Sequence, residues 1–272
     1  MNTGTITTNN FSMDYMKFGN GDKTMVMIPG LSVDSVMKYK DAVSGAYAKM
    51  AEEFTIYLFD RRSDLPASYS IKDMADDTAT VIKKLNLSNI YLFGASQGGM
   101  ISMLIALDYP ELVSKLVLGS TSAKVDHDYF NKAITKWIDL AEAKDAEGLY
   151  LSFGEALYPA EIFEQSKDLL IQSAAGITEE DLSRFVILAR SIDGFDVSDR
   201  IKDITCPVLV LGSEDDKVLG GAASRAIFEA LSTHSGCDIY MYKGFGHAVY
   251  DLALDYKERM TAFFLTGSNS RQ

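Results

Sequence analysis

Cysteine, histidine and positive charge are all scarce in this chain. Its 272 residues include two cysteines, three histidines, five prolines and one tryptophan. Cys206 and Cys237 each stand at the start of a predicted strand, with no CxxC pair and no histidine at ligand spacing. This reads as two reduced thiols and excludes an ordinary zinc site. Lys and Arg number 26 against 38 Asp and Glu, a net charge of −12 with an isoelectric point near 4.7. Nucleic-acid affinity rests on basic side chains displacing counterions, so a nucleic-acid partner is not expected. No apolar run approaches the roughly 20 residues of a membrane span, and "MNTGTITTNN" lacks the basic start and apolar stretch of a signal peptide. The expectation is a cytoplasmic protein without a membrane partner. There is no internal repeat and no linker-like tract, and only "TGSNSRQ" at the C-terminus looks frayed.

With 47% hydrophobic and 24% charged residues, the chain can bury one large core with an insertion. Short apolar runs recur at "TMVMI" (24–28), "FTIYLF" (54–59), "IYLFG" (90–94), "KLVLG" (115–119), "PVLVLG" (207–212) and "DIYMY" (238–242). Their lack of polar alternation predicts strands covered on both faces. Before them, Phe11, Met13 and Tyr15 alternate with Ser12 and Asp14, and Asn20-Gly21 in "GNGD" follows as a tight-turn signal. This predicts an antiparallel edge strand and a hairpin leading into the sheet. Between the central runs, Met74, Thr78, Val81, Ile82 and Leu85 fall on one helical face. Strands alternating with helices imply a mostly parallel sheet sandwiched by helices.

The alternation fails between about residues 122 and 200. Phe130, Ile134, Trp137, Ile138 and Ala141 keep helical spacing, as do Leu182, Phe185, Val186, Ala189 and Ile192, and "TEED" from Thr178 reads as a capping box. This segment is predicted to be helical throughout. From 126 to 200 there are 16 acidic and 7 basic residues, a net of −9, which is what a solvated outer face carries. Its aromatics Tyr129, Phe130, Trp137, Phe153 and Phe163 suit either packing or an apolar pocket.

The chemistry centres on "GASQGG", where Ser96 stands between Gly94 and Gly98 after a predicted strand and before the helical "GGMISMLIALDYP". A G-x-S-x-G string arises by chance in about one chain in ten of this length, so its setting carries the weight. A strand-to-helix turn this sharp forces the serine into an unfavourable backbone region, and the flanking glycines remove colliding side chains. The helix N-terminus aims the N–H of Gln97 at the same spot, where it can face a developing oxyanion. Met100, Met103, Leu104 and Leu107 of this helix read as core, with Met100 close enough to reach the acyl side.

A serine hydroxyl needs a base and the base needs an orienting group. His127 reads as a helix-start residue and His234 as a helix-end residue. His247, in "KGFGHAVYD" directly after the last predicted strand, shares with Ser96 the sheet edge where ligand sites form. The same edge receives Glu214, Asp215 and Asp216 from "PVLVLGSEDDKV". Any of the three carboxylates can serve on this reading.

Together "GASQGG", "LGSEDDKV" and "GFGHAVY" resemble the α/β-hydrolase family over nearly the whole chain. The resemblance implies an α/β fold with an eight-stranded, mostly parallel sheet, helices on both faces, and a helical cap at 122–200 between core segments 1–121 and 201–272. It maps the family's strand-end acid onto Asp215 and its second oxyanion donor onto the N–H of Leu31, although Pro29-Gly30 stands where many members carry His-Gly. Asp60, with Arg61 and Arg62, resembles a segment in which the aspartate holds a loop. The expected site is catalytic Ser96, Asp215 and His247 with oxyanion donors Leu31 and Gln97, no cofactor and no metal. A serine at the elbow argues against the aspartate chemistry of dehalogenases and epoxide hydrolases. The expected function is hydrolysis of a carboxylic ester of a small to medium, apolar acyl group in a small-molecule substrate. Cleavage of another acyl bond (carbon-carbon, thioester, amide or lactone) and a ligand-binding role on the same fold stand as alternatives.

Overall fold

The computed structural model describes residues 1–233 and 236–266; residues 234–235, with His234 among them, and residues 267–272 of the C-terminal tail lie outside these. Eight strands, β1 (Asn2–Thr7), β2 (Ser12–Phe18), β3 (Lys23–Ile28), β4 (Phe54–Arg62), β5 (Ile90–Ala95), β6 (Val113–Gly119), β7 (Val208–Ser213) and β8 (Cys237–Tyr242), form one sheet in the order β1-β2-β4-β3-β5-β6-β7-β8. From β4 to β8 every neighbouring pair is parallel, and β1 and β2 join antiparallel at one side. The uniformly apolar runs are explained by their two faces. Val26, Ile28, Leu116, Leu118, Val208 and Val210 enter one core, while the intervening Met25, Met27, Val117, Leu209 and Leu211 enter the other. Side chains alternate in direction along β3 to β7, and both directions are largely buried. β8, expected to be covered on both faces, is instead the far edge of the sheet, with Asp238 and Tyr240 exposed.

Helices α1 (Lys40–Ala46), α2 (Ile71–Lys84) and α3 (Gln97–Asp108) fall among the first strands. On α2, Met74, Thr78, Val81 and Ile82 are buried and Ser70 forms a capping box with Asp73, so the predicted face is the packed one. After β6, α4 (His127–Tyr129) leads through a π-helical turn (Phe130–Thr135) into α5 (Lys136–Glu142), α6 (Ala146–Leu157), α7 (Ala160–Ala174) and α8 (Glu179–Arg190). The two ends of this helical insertion are pinned together, with the Val125 N–H donating to Phe195 O (3.0 Å) and the Val197 N–H to Ala123 O (2.7 Å). Thr178 and Asp181 form the expected capping box. Helices α9 (Gly221–Leu231), α10 (Val249–Leu252) and α11 (Tyr256–Leu265) complete the chain. No helix among the described residues is long and apolar enough to cross a membrane. Cys206 and Cys237 are both free.

Two expectations about the first residues are corrected. β2 is not the edge, because β1 pairs along its outer side from Asn2↔Lys17 to Thr7↔Ser12. Only Ile6 is a large apolar residue in β1 (NTGTIT), so nothing but alternating threonines signalled it. Nor does Asn20-Gly21 close a hairpin, since β4 lies between β2 and β3. The connection instead passes tight against residues 51–54. The Asn20 N–H donates to Ala51 O at 3.1 Å, and a Cβ on Gly21 would fall 1.9 Å from the Glu53 carbonyl carbon. Glycine is there for close backbone approach.

α11 seals the second core through Tyr256, Met260 and Phe264. Phe264 is fully buried and meets Phe54 and Tyr91 edge-on at 5.9 and 5.3 Å between ring centroids. Phe264→Ala is expected to cost about 3–5 kcal/mol, read as a lower urea midpoint at unchanged denaturant slope.

Candidate active site

β5 ends at Ala95 and α3 begins at Gln97, leaving Ser96 alone to make the turn at φ 53°, ψ −123°. Such a conformation costs about 1–3 kcal/mol and persists only when its surroundings hold it. Here the Ser96 N–H donates to Gly119 O (2.8 Å), and Ser96 O accepts from the Gly99 N–H (2.8 Å) and the Thr121 hydroxyl (2.7 Å). The glycines are required by space as much as by conformation. A Cβ on Gly94 would lie 2.3 Å from Gly98 O, and one on Gly98 would lie 2.1 Å from Ile28 O and 2.5 Å from Pro29 O.

The loop after β8 turns through Gly244 (φ 81°) and Gly246 (φ 67°). A Cβ on Gly246 would lie 2.6 Å from Leu157 O, and the Ala248 N–H donates to that same oxygen at 3.1 Å. Between these anchors His247 is 2% exposed, with Nδ1 at 2.8 Å from Asp216 Oδ2. With Nδ1–H given to the carboxylate, Nε2 is the acceptor of the neutral ring. His247 and Ser96 line one cavity together with Leu31, Met100, Trp137 and Phe153.

The carboxylate beside His247 is therefore Asp216, and the expectation of Asp215 is corrected. β7 is buried throughout and the chain turns after Ser213, sending the three acidic side chains in different directions. Glu214 pairs with Arg225, while the exposed Asp215 accepts the Gly244 N–H. Asp216, 6% exposed, also accepts from the N–H groups of Val218 (2.8 Å) and Leu219 (3.0 Å) through Oδ1. Burial acts to raise its carboxyl, but the charge and bond of His247 and these two N–H groups outweigh it, holding the group below the usual carboxylate range. The available signal was an aspartate two and three residues before apolar Val218 and Leu219, the pattern of an Asx turn facing inward.

The Gln97 N–H, first in α3, has no intrahelical acceptor. Among the described residues neither it nor the Leu31 N–H meets an intramolecular acceptor, and Leu31 lines the cavity. The Gln97 side chain, which sequence reasoning left aside, is fully buried and donates to Leu188 O (2.7 Å) and Ser191 Oγ (3.1 Å) at the end of α8. Its carbonyl oxygen accepts from Arg61 (3.1 Å), which also donates to Pro29 O (2.8 Å). Burial pushes the Arg61 guanidinium down to about 10, against the raising influence of Asp60 and Tyr69, and it stays cationic at neutral pH. Asp60 accepts from Ser35 Oγ (2.5 Å), the Arg61 N–H (2.7 Å) and Arg184 of α8 (3.0 Å). It thus holds both the loop after β3 and the insertion. Met100 is both core and cavity wall, and Trp137 and Phe153 pack at 4.5 Å between ring centroids over the same space. Tyr129 lies outside it, 36% exposed, and His127 begins α4. Among the described residues no three His, Cys, Asp or Glu side chains converge to hold a metal ion.

Comparison with known proteins adds four similarities. The family model described as "Serine aminopeptidase, S33" matches residues 65–251. A protein of Rhizobium rhizogenes named "Putative carbamate hydrolase RutD" is 28% identical over 191 residues, covering 67% of this chain and 72% of that protein. Among solved structures, MGS-M2, an α/β hydrolase enzyme from a deep-sea metagenome library, superposes with a TM-score of 0.85 at 18% identity over 99% of this chain and 100% of that one. The enol-lactonase from Burkholderia xenovorans superposes at 0.82 with 15% identity over 96% and 99%.

The space around Gly98 generates a test. Gly98→Ala drives a methyl group into two backbone carbonyls that cannot both retreat, so it is expected to lower the melting temperature by several degrees, about 1–3 kcal/mol. Thermal unfolding followed by circular dichroism reads the change, and an unaltered transition would contradict the close packing of α3 on β3.

Proposed function

Because the chain belongs to the serine aminopeptidase S33 family of α/β hydrolases, we propose that it is a serine hydrolase cleaving a carboxylic ester of a small-molecule substrate through an acyl-enzyme. Ser96 is the nucleophile, His247 the general base and acid, and Asp216 the group that orients the imidazole. The observation that carries this reading is the 2.8 Å bond from His247 Nδ1 to Asp216, with His247 and Ser96 on the wall of one cavity. In the proposed reaction Nε2 of His247 takes the hydroxyl proton as Ser96 Oγ adds to the carbonyl carbon. The imidazolium is held through Nδ1–H against the Asp216 carboxylate, whose lowered pKa keeps it ionised. The N–H groups of Gln97 and Leu31 receive the tetrahedral oxyanion, each worth on the order of 10²-fold to 10³-fold in rate. Collapse passes the proton from His247 to the leaving group, and a water activated by the same nitrogen releases the acid. Residues 122–200 are the cap over this site, between core segments 1–121 and 201–272.

A second reading keeps the residues and changes the bond. The RutD relatives are named for carbamate hydrolysis and one structural neighbour for enol-lactone hydrolysis. Both are attacks on an acyl carbon with a heteroatom leaving group, which the same proton path serves.

Hydrolysis of p-nitrophenyl acetate tests the assignment. Ser96→Ala and His247→Ala are each expected to lose about 10⁶-fold in kcat, and Asp216→Asn about 10⁴-fold by disturbing the imidazole tautomer. Asp215→Asn should stay within about threefold, as surface changes usually do. Wild-type turnover by Ser96→Ala, or equal losses at 215 and 216, would refute these roles.

A further inference from the structure

The space at Ser96 is divided unequally. The cavity holding Ser96 and His247 has a volume of only about 20 Å³, room for little more than one water. Beside it a second cavity of about 440 Å³ opens between the 27–36 stretch, α1, and helices α6 and α7. The two share four wall residues, Leu31, Phe153, Leu157 and Tyr250. Leu31 is the proposed oxyanion donor, and Tyr250 follows His247 by three residues, its ring edge-on to the imidazole at 6.3 Å. The boundary between the two cavities therefore runs past the proposed oxyanion donor and beside the His247 ring.

The small cavity is closed by Met100, Ile134, Trp137, Leu157, Ile192 and Val218. Five of these are at most 7% exposed and Leu157 is 8% exposed, so lengthening a group bonded to Ser96 Oγ must displace packed side chains. The large cavity is walled by aliphatic side chains and by the rings of Tyr39, Tyr47, Tyr150, Tyr158 and Tyr250. Among the described residues, the only charged side chains on its wall are the carboxylates of Asp34 and Asp251. Lys38 lies 3.1 Å from Asp34 but also serves Asp181 at 3.7 Å, and Lys257 donates to the Tyr250 carbonyl oxygen. Burial pushes the Asp251 carboxyl up to about 6, against the lowering influence of Lys257 and His247. An anion placed here would find no cation among the described residues of the cavity wall and would face the carboxylate of Asp34.

Resting on the serine-hydrolase reading above, we propose that the substrate is asymmetric about its scissile bond: a short acyl group enclosed at Ser96, and a bulky, apolar, uncharged leaving group in the tyrosine-walled cavity. The acyl group stays bonded to the serine, so it occupies the closed side. The leaving group must depart after protonation by His247, so it occupies the side with room. Aryl and long-chain alkyl esters of short acids fit this description, whereas long-chain acyl esters and substrates with a carboxylate on the leaving group do not.

The experiment compares kcat/KM of the wild type for four esters, p-nitrophenyl acetate, p-nitrophenyl octanoate, 2-naphthyl acetate and 6-acetoxy-2-naphthoate, with Ser96→Ala in parallel. The octanoate is expected to fall at least about tenfold below p-nitrophenyl acetate, and the carboxylated naphthyl ester at least about tenfold below its neutral counterpart. Ser173→Trp, which fills the large cavity from α7, is expected to lower the ratio of 2-naphthyl to p-nitrophenyl acetate turnover about fivefold or more. Val43→Phe does so from the opposite wall should Ser173→Trp fold poorly. Octanoate or the carboxylated ester turned over as well as its partner, with turnover still dependent on Ser96, overturns the asymmetric assignment alone. So does an unchanged ratio in the folded filling variant. Absence of turnover on all four esters, or turnover that survives in Ser96→Ala, overturns the serine-hydrolase reading and this inference with it.

Discussion

Close contact between backbones at the end of β5 sets the rest of the molecule. Gly98 brings α3 against the Ile28 and Pro29 carbonyls, so the helix that follows Ser96 and the loop that follows β3 are positioned by the same contact. A side chain at that point would separate them by the width of a methyl group. The proposed oxyanion donors, Gln97 at one end of this contact and Leu31 at the other, would then lose their common target. The strain at Ser96 is sustained by the bond its N–H donates to Gly119 O and the bond its carbonyl accepts from the Thr121 hydroxyl, both at the end of the neighbouring strand. Two core strands and one helix are thus committed to the placement of a single hydroxyl.

The insertion is tied to this centre by polar groups as well as by apolar packing. Gln97 bonds at once to the end of α8 and to Arg61, and Asp60 holds Ser35 and Arg184. Each member is buried or partly buried, where leaving one partner unsatisfied costs more than the bond itself contributes. A shift of the insertion would therefore be felt at the loop carrying Pro29 and Leu31. This coupling gives a physical reason for the narrow chamber at Ser96 beside a roomier cavity.

Legibility in the sequence followed the range of the interaction. Strands buried on both faces and helices with one apolar face announce themselves locally, and the five strands β3 to β7 and the amphipathic faces of α2, α5 and α8 were recognisable on that basis. The apolar run of β8 marked a strand but not its place at the edge, where Asp238 and Tyr240 are exposed. β1 was not, because an outer strand of alternating threonines buries little and pairs through its backbone. The hairpin at Asn20-Gly21 was misread because β4, more than thirty residues away, takes the place beside β2 that a hairpin would give to β3. Asp216 and Asp215 differ by one position in a turn, and the direction of a turn side chain depends on what the turn packs against. The Asp60–Arg61–Gln97–Arg184 network joins residues up to 124 positions apart and has no local signature.

The sequence by itself determined the layered α/β class, the helical nature of the insertion, and the strained serine between two glycines, since each is written in periodicity or in spacing within a few residues. It also determined that a histidine and an acidic turn would share an edge with that serine, because parallel strands deliver their following loops to one side. Only the tertiary structure decided that Asp216 reaches His247, that Gln97 ties the turn to the insertion, and that the space at Ser96 is split into a small and a large cavity. These depend on directions of side chains and on gaps between packed elements, and such gaps are set by contacts between residues remote in the chain.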